Sequence, residues 1–184
     1  MTKIPCCEES QFITTLWEIR AWSRREEDLT RNLTNLACLV GNQFLCDVCS
    51  IYQIDRRTEE IVLAATVGLR QDCVGRLRLK IGEGLCGQVA ATLEPLMVEE
   101  DAMKHPQFRY CPEAGEEPYA SFLGVPIGWR EELQGVLVVQ TTSPRAYTPL
   151  EIRMLTLAAD LMIPALRHLP LPPVQPALAK AARR

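Results

Sequence analysis

No apolar run in this 184-residue chain approaches the ~20 residues needed to span a bilayer, so no membrane association is expected. The N-terminus, MTKIPCCEES, has no apolar core of the kind that directs secretion. The expected location is therefore the cytoplasm, with the eight cysteines as reduced thiols. An excess of positive charge is missing too: 20 Lys and Arg face 23 Asp and Glu, a net of −3, which speaks against a nucleic-acid footprint. Cys46 and Cys49 form a C-x-x-C, but a zinc site needs a second close pair and none is present. No metal and no other cofactor are expected. No Lys-Ser or Lys-Thr follows Gly82, Gly84 and Gly87, so these glycines are not a phosphate-cradling Walker loop. No internal repeat is visible, and 184 residues cannot hold a (β/α)8 barrel.

What is there suits one globular domain with a real core: 47% of the residues are apolar and 23% charged. Phe12, Ile13, Leu16, Trp17 and Ile19 recur at near-helical spacing and predict an N-terminal amphipathic helix over 10–21, in an N-terminal segment 1–22. Ser23 and Glu26 fit a capping box, so a second helix is expected from about Arg24, with Leu29, Leu33, Leu36, Ala37, Val40 and Phe44 as its buried stripe. Val48–Ile54 and Ile61–Val67 predict a hairpin, and the alternation over Arg76–Ile81 a half-buried strand. A short helix is expected over Gly84–Thr92 and a short strand over Leu96–Val98. Tyr119–Ile127 and Leu133–Gln140 predict a second hairpin. Thr148, Pro149 and Glu151 announce a final helix that Pro164 is expected to kink or end. The segment 168–184 is proline-rich and reads as a linker or tail. This order implies an α+β domain over 23–167: an antiparallel sheet with helices from both ends of the chain on one face.

Between the short strand and the second hairpin runs a polar loop, 102–117, too long for a mere connector. It carries Lys104, His105, Phe108, Arg109 and Tyr110, with Tyr119 and Ser121 opening the strand beyond. One reading is a lid over a pocket for a small polar or anionic metabolite. Arg109 would pair a carboxylate through two hydrogen bonds, His105, Tyr110 and Tyr119 would orient the ligand, Phe108 would cover it, and Ser121 would lie on the floor. The other reading makes HPQF a turn with its ring packed inward and leaves Lys104 and Arg109 solvated. The GEGLCG segment likewise reads either as an anion-attracting helix start or as a plain strand-to-helix corner.

GEGLCGQVAAT, DAMKHPQFRYCPE, EEPYASFLGVPI, GVLVVQ and VCSIYQIDRRTEEIVLAATVGL together resemble a GAF domain. They are similar in particular to the N-terminal GAF domain of the nitrogen-related phosphotransferase-system Enzyme I, a phosphoenolpyruvate–protein phosphotransferase. The resemblance implies a GAF/PAS-like central antiparallel sheet of about six strands, with the lid and the short helix over a pocket on the face opposite the terminal helices. It implies a regulatory, non-enzymatic domain that senses glutamine or 2-oxoglutarate, with Cys86 added to the candidate ligand residues. Separately, the apolar helix pair at the two ends of the chain suggests a homodimer through the terminal helices. A second GAF family, the free methionine-(R)-sulfoxide reductases, has a GxGVCG segment that matches Cys86, and Cys111 falls near its nucleophile. Its acids, however, fall here at Phe122, Val138 and Gln140, which leaves thiols without acid–base partners. A structural dimerisation module with a filled pocket is the third alternative. The histidine required by haem or a covalent bilin has only His105 and His168 to choose from, and neither group is expected.

Overall fold

The computed structural model describes residues 9–111, 114 and 119–171. The N-terminal helix runs Glu9–Ser23 (α1), and the second helix Leu29–Phe44 (α2). The strands are Val48–Asp55 (β1), Glu60–Val67 (β2), Arg78–Lys80 (β3), Leu96–Val98 (β4), Ser121–Ile127 (β5) and Gly135–Thr141 (β6). The short helix is Gly84–Thr92 (α3) and the last one Pro149–Arg167 (α4). The six strands form one antiparallel sheet in the order β3-β2-β1-β6-β5-β4. The expected α+β layout is therefore the observed one, and the terminal helices do share one face.

Strand alternation divides the interior in two. Ile51, Leu123, Val125, Ile127, Leu137 and Val139 point toward α1, α2 and α4, where they meet Leu33, Leu36, Val40, Leu155 and Met162. Val48, Tyr52, Leu63, Phe122, Val136 and Val138 point the other way, toward α3 and the lid. A bulge between Ile51 and Tyr52 shifts the β1–β2 register and keeps both faces apolar.

One helix start differs from expectation, and of the two outcomes expected at Pro164 the helix end is not the one observed. Ser23 does not cap α2. It is the last residue of α1, and its hydroxyl donates back to the Arg20 carbonyl at 3.1 Å. The cap is Asp28, held at φ 45° and accepting from the Arg31 amide at 3.1 Å. Asn32 fixes the intervening turn by donating to the carbonyls of Arg25 (3.1 Å) and Glu27 (2.7 Å), which favours a start at Leu29 over Arg24. Pro164 does not end α4, which continues to Arg167. Its start is as expected: the Thr148 hydroxyl accepts from the Glu151 amide, and the Glu151 carboxylate accepts from the Thr148 amide. Gln53 of β1 supports the far end, donating to the carbonyls of Leu166 (3.2 Å) and Leu169 (2.9 Å). Most of the proline-rich tail, residues 172–184, lies outside the described residues, as do 112–113 and 115–118 of the lid.

Candidate functional site

The lid face begins at the β3–α3 corner. Gly82 (φ 88°) and Gly84 (φ 68°) take left-handed backbone conformations, which a side chain would strain. Gly87 is required for a different reason. A Cβ there would stand 2.5 Å from the Lys80 carbonyl oxygen, so only a hydrogen lets α3 fold back onto β3. The corner thus brings Leu85, Val89 and Ala90 down onto Phe122, Val136 and Val138.

The lid docks on the N-terminus of α3 through Arg109. A Cβ on Gly84 would lie 3.3 Å from the Arg109 Cβ, so the chain passes close over that glycine. The Arg109 guanidinium pairs with the Glu83 carboxylate, whose other oxygen accepts from the Lys80 amide at 3.0 Å. Arg109, expected to hold a ligand's carboxylate, therefore already holds one from its own chain. Glu83 is the residue that sequence reading missed; as the charge between Gly82 and Gly84, it was legible only once Arg109 was placed.

The other expected ligand residues separate. Phe108 packs its ring onto the lid-side core, and Tyr119 is buried in it, 6% exposed. Cys86, on α3, packs against the same core. Cys111 is buried there as well, its thiol reaching toward the Arg109 carbonyl at 4.0 Å. His105 spends Nδ1 on its own turn, accepting from the Gln107 amide at 3.2 Å, while its carbonyl accepts from the Phe108 amide at 2.8 Å. Tyr110 points outward, 53% exposed. Lys104 pairs with Asp101 at the surface, 2.7 Å.

Ser121, expected on the pocket floor, lies on the opposite side of the sheet. It shares its parity with Leu123, Val125 and Ile127, and its hydroxyl meets that of Thr141 at 2.5 Å among the helix-side residues. Among the described residues, the buried Ser, Thr and Gln side chains that do face the lid are Ser50, Thr66 and Gln140. The Ser50 and Thr66 hydroxyls bond each other at 2.8 Å. Cross-strand pairing of Ser50 with Val138 and of Val48 with Gln140 sets Gln140 diagonally from Ser50. A polar residue at an inward position of a strand was the available signal.

The C-x-x-C pair sits away from the lid. Burial pushes the Cys46 thiol up to about 12 and the Cys49 thiol well above its ordinary value. Thiols held in their protonated form are poor ligands and poor nucleophiles. Among the described residues, no group of three His, Cys, Asp or Glu side chains is placed to hold a metal ion, and no helix is long and apolar enough to cross a membrane.

The profile of the family described as "GAF domain" matches residues 28–166. The chain is 40% identical over 116 residues to a protein of Escherichia coli (strain K12) named "Phosphoenolpyruvate-dependent phosphotransferase system", an alignment covering 63% of this chain and 15% of that protein. The chain thus spans a small fraction of the curated relative it matches. Its fold is similar to the GAF domain from a phosphoenolpyruvate-protein phosphotransferase of Coxiella burnetii, at TM-score 0.78 and 33% identity, covering 86% of this chain and 94% of that one. It is also similar to the free methionine-R-sulfoxide reductase of Neisseria meningitidis, at TM-score 0.71 and 22% identity, covering 88% of this chain and 93% of that one; this likeness concerns the fold alone.

Proposed function

We propose that this chain, which belongs to the GAF domain family, is a small-molecule-sensing regulatory domain that controls a phosphoenolpyruvate–protein phosphotransferase in nitrogen-metabolite signalling. The observation that carries the reading is the chemistry of the lid face. Among the described residues its buried hydroxyl and amide side chains include those of Ser50, Thr66 and Gln140, which recognise by hydrogen bonding, and no described carboxylate is buried beside them. The positions that match the reductase acids hold Phe122, Val138 and Gln140, so Cys86 and Cys111 have none of that family's acid–base partners at those positions. This supports a sensor over a thiol reductase.

In the proposed mechanism a metabolite, glutamine or 2-oxoglutarate, enters as the lid lifts, and its carboxylate replaces Glu83 on Arg109. The ligand thereby favours one lid position, and the terminal helices carry the bias to a partner domain or a second copy. Calorimetry against both metabolites tests it. We expect saturable binding of one of them, weakened about tenfold or more by Arg109→Ala, the scale of one charged hydrogen bond. Glu83→Gln should tighten the same ligand by removing the competitor for Arg109.

A second reading rests on how full the lid side is. Leu63, Phe122, Val136 and Val138 are each at most 1% exposed, which suits a structural dimerisation module with no ligand. Flat titrations with both metabolites would favour it and sink the sensor.

A further inference from the structure

A concavity of about 210 Å³ opens on the helical side, far from the lid. It is walled by Ser23, Arg24, Arg25 and Glu26 of the α1–α2 connection and by Pro164 and His168 at the end of α4. That volume is about seven water molecules' share of liquid, enough for a small organic or phosphate anion. Its lining includes two arginines, Arg24 and Arg25, against one acidic residue, Glu26, on a chain whose net charge is −3.

The ordinary explanation for cations here is that they serve the negative ends of two helices. The hydrogen bonds argue otherwise, because these carbonyls are met by neutral donors. The Arg20 carbonyl accepts from the Ser23 hydroxyl and the Trp22 carbonyl from the Arg25 amide. Asn32 serves the carbonyls of Arg25 and Glu27, and Gln53 serves those of Leu166 and Leu169. Among the described residues the Arg24 guanidinium and the His168 imidazole make no hydrogen bond or ion pair. Arg25 lies over the Trp22 ring, 3.8 Å from its centroid. Stacking holds that guanidinium in place through its face and leaves the N–H donors at its edge available.

We infer that this elbow binds a small polyvalent anion, a phosphate ester or a dicarboxylate, through Arg24, Arg25 and His168. The site joins the N-terminal helix connection to the point where the chain leaves α4. An occupant there would brace the two against each other independently of the lid.

The full chain is titrated with inorganic phosphate, pyrophosphate and succinate, against sodium chloride of equal ionic strength, and followed by calorimetry and tryptophan fluorescence. We expect at least one of the three to bind saturably with a Kd of about 1 mM or tighter. Arg24→Ala and Arg25→Ala should each weaken it about tenfold, and Glu26→Gln should strengthen it. The fluorescence response should vanish in Trp22→Phe, since an anion held at the edge of Arg25 changes the surroundings of the ring stacked beneath it. A preference for pyrophosphate marks phosphate chemistry, and one for succinate marks dicarboxylate chemistry. No saturable binding below roughly 10 mM overturns the site. Binding that survives both arginine substitutions, or that is lost in Arg109→Ala instead, overturns it as well.

Discussion

Asp55 is a heavily engaged charge among the described residues. Its side chain is fully buried at the end of β1 and accepts from the Arg57 amide and side chain and from Arg78 at 3.2 Å. Hydrogen bonds from Arg57 first, and from Arg78 second, hold its carboxyl down at about 2 against the opposing effect of burial. A carboxylate depressed in the folded state stabilises it above the unfolded value and loses that contribution as pH falls through the folded one. Asp55→Asn should therefore cost about 1 kcal/mol at pH 7, after allowing for the solvent screening of exposed Arg57. In urea denaturation the gap between variant and parent should shrink steadily from about pH 4 toward pH 2; a gap that stays constant would show that shape, not charge, is at stake. The pairing itself was hidden in the sequence. Asp55-Arg56-Arg57-Thr58 reads as a polar turn, and nothing local says that Arg78 comes back beside it. Arg109 was equally opaque: its residue type fits a ligand hook, but only the close passage over Gly84 reveals Glu83 as its partner.

Elements were far more legible than residue contacts, because periodicity and breakers act locally. The spans of α3 and β4 fall where glycine and proline punctuate the chain. The start of α4 is set by a capping box that competes with nothing. The start of α2 was misread because Ser23 and Glu26 mimic a cap, while the real determinant, Asn32 bonding back to Arg25 and Glu27, lies inside the helix. The β3–α3 corner offers a test of two opposed effects. Alanine in place of Gly87 gains about 1 kcal/mol of helix propensity. It also drives a Cβ to 2.5 Å from the Lys80 carbonyl, backbone that cannot swing aside. Overpacking of that kind costs about 1–3 kcal/mol. Clash should win, and Gly87→Ala should lower the melting temperature by a few degrees, given about 2–4 °C per kcal/mol at this size. An unchanged or raised melting temperature would mean that the corner is loose enough to shift.

For the molecule as a whole, the outer faces of the terminal helices support the proposed homodimer. Ile13 and Trp17 of α1 are 57% and 63% exposed, and Leu150 and Leu157 of α4 are 38% and 46% exposed. Arg20 lies over the Trp17 ring at 5.2 Å, a partial cover only. Sedimentation of the parent chain should show a dimer, and Trp17→Glu should shift it to monomer without lowering helix content. A monomeric parent would end the dimer proposal. The fold class was readable from the order of hairpins and helices. Which side of the sheet a given strand residue takes depends on register, and that is why Ser121 was assigned to the wrong face while Ser50 and Thr66 were overlooked.

The centre of the sheet is a seam between the two halves of the chain, with Ser50 of β1 paired to Val138 of β6. Neither hairpin has its inner edge closed until the other arrives. A chain lacking β6 would leave the β1 edge that β6 covers without its strand partner. The edge strands β3 and β4, each only three residues long, leave little for a neighbouring polypeptide to extend once that closure is made.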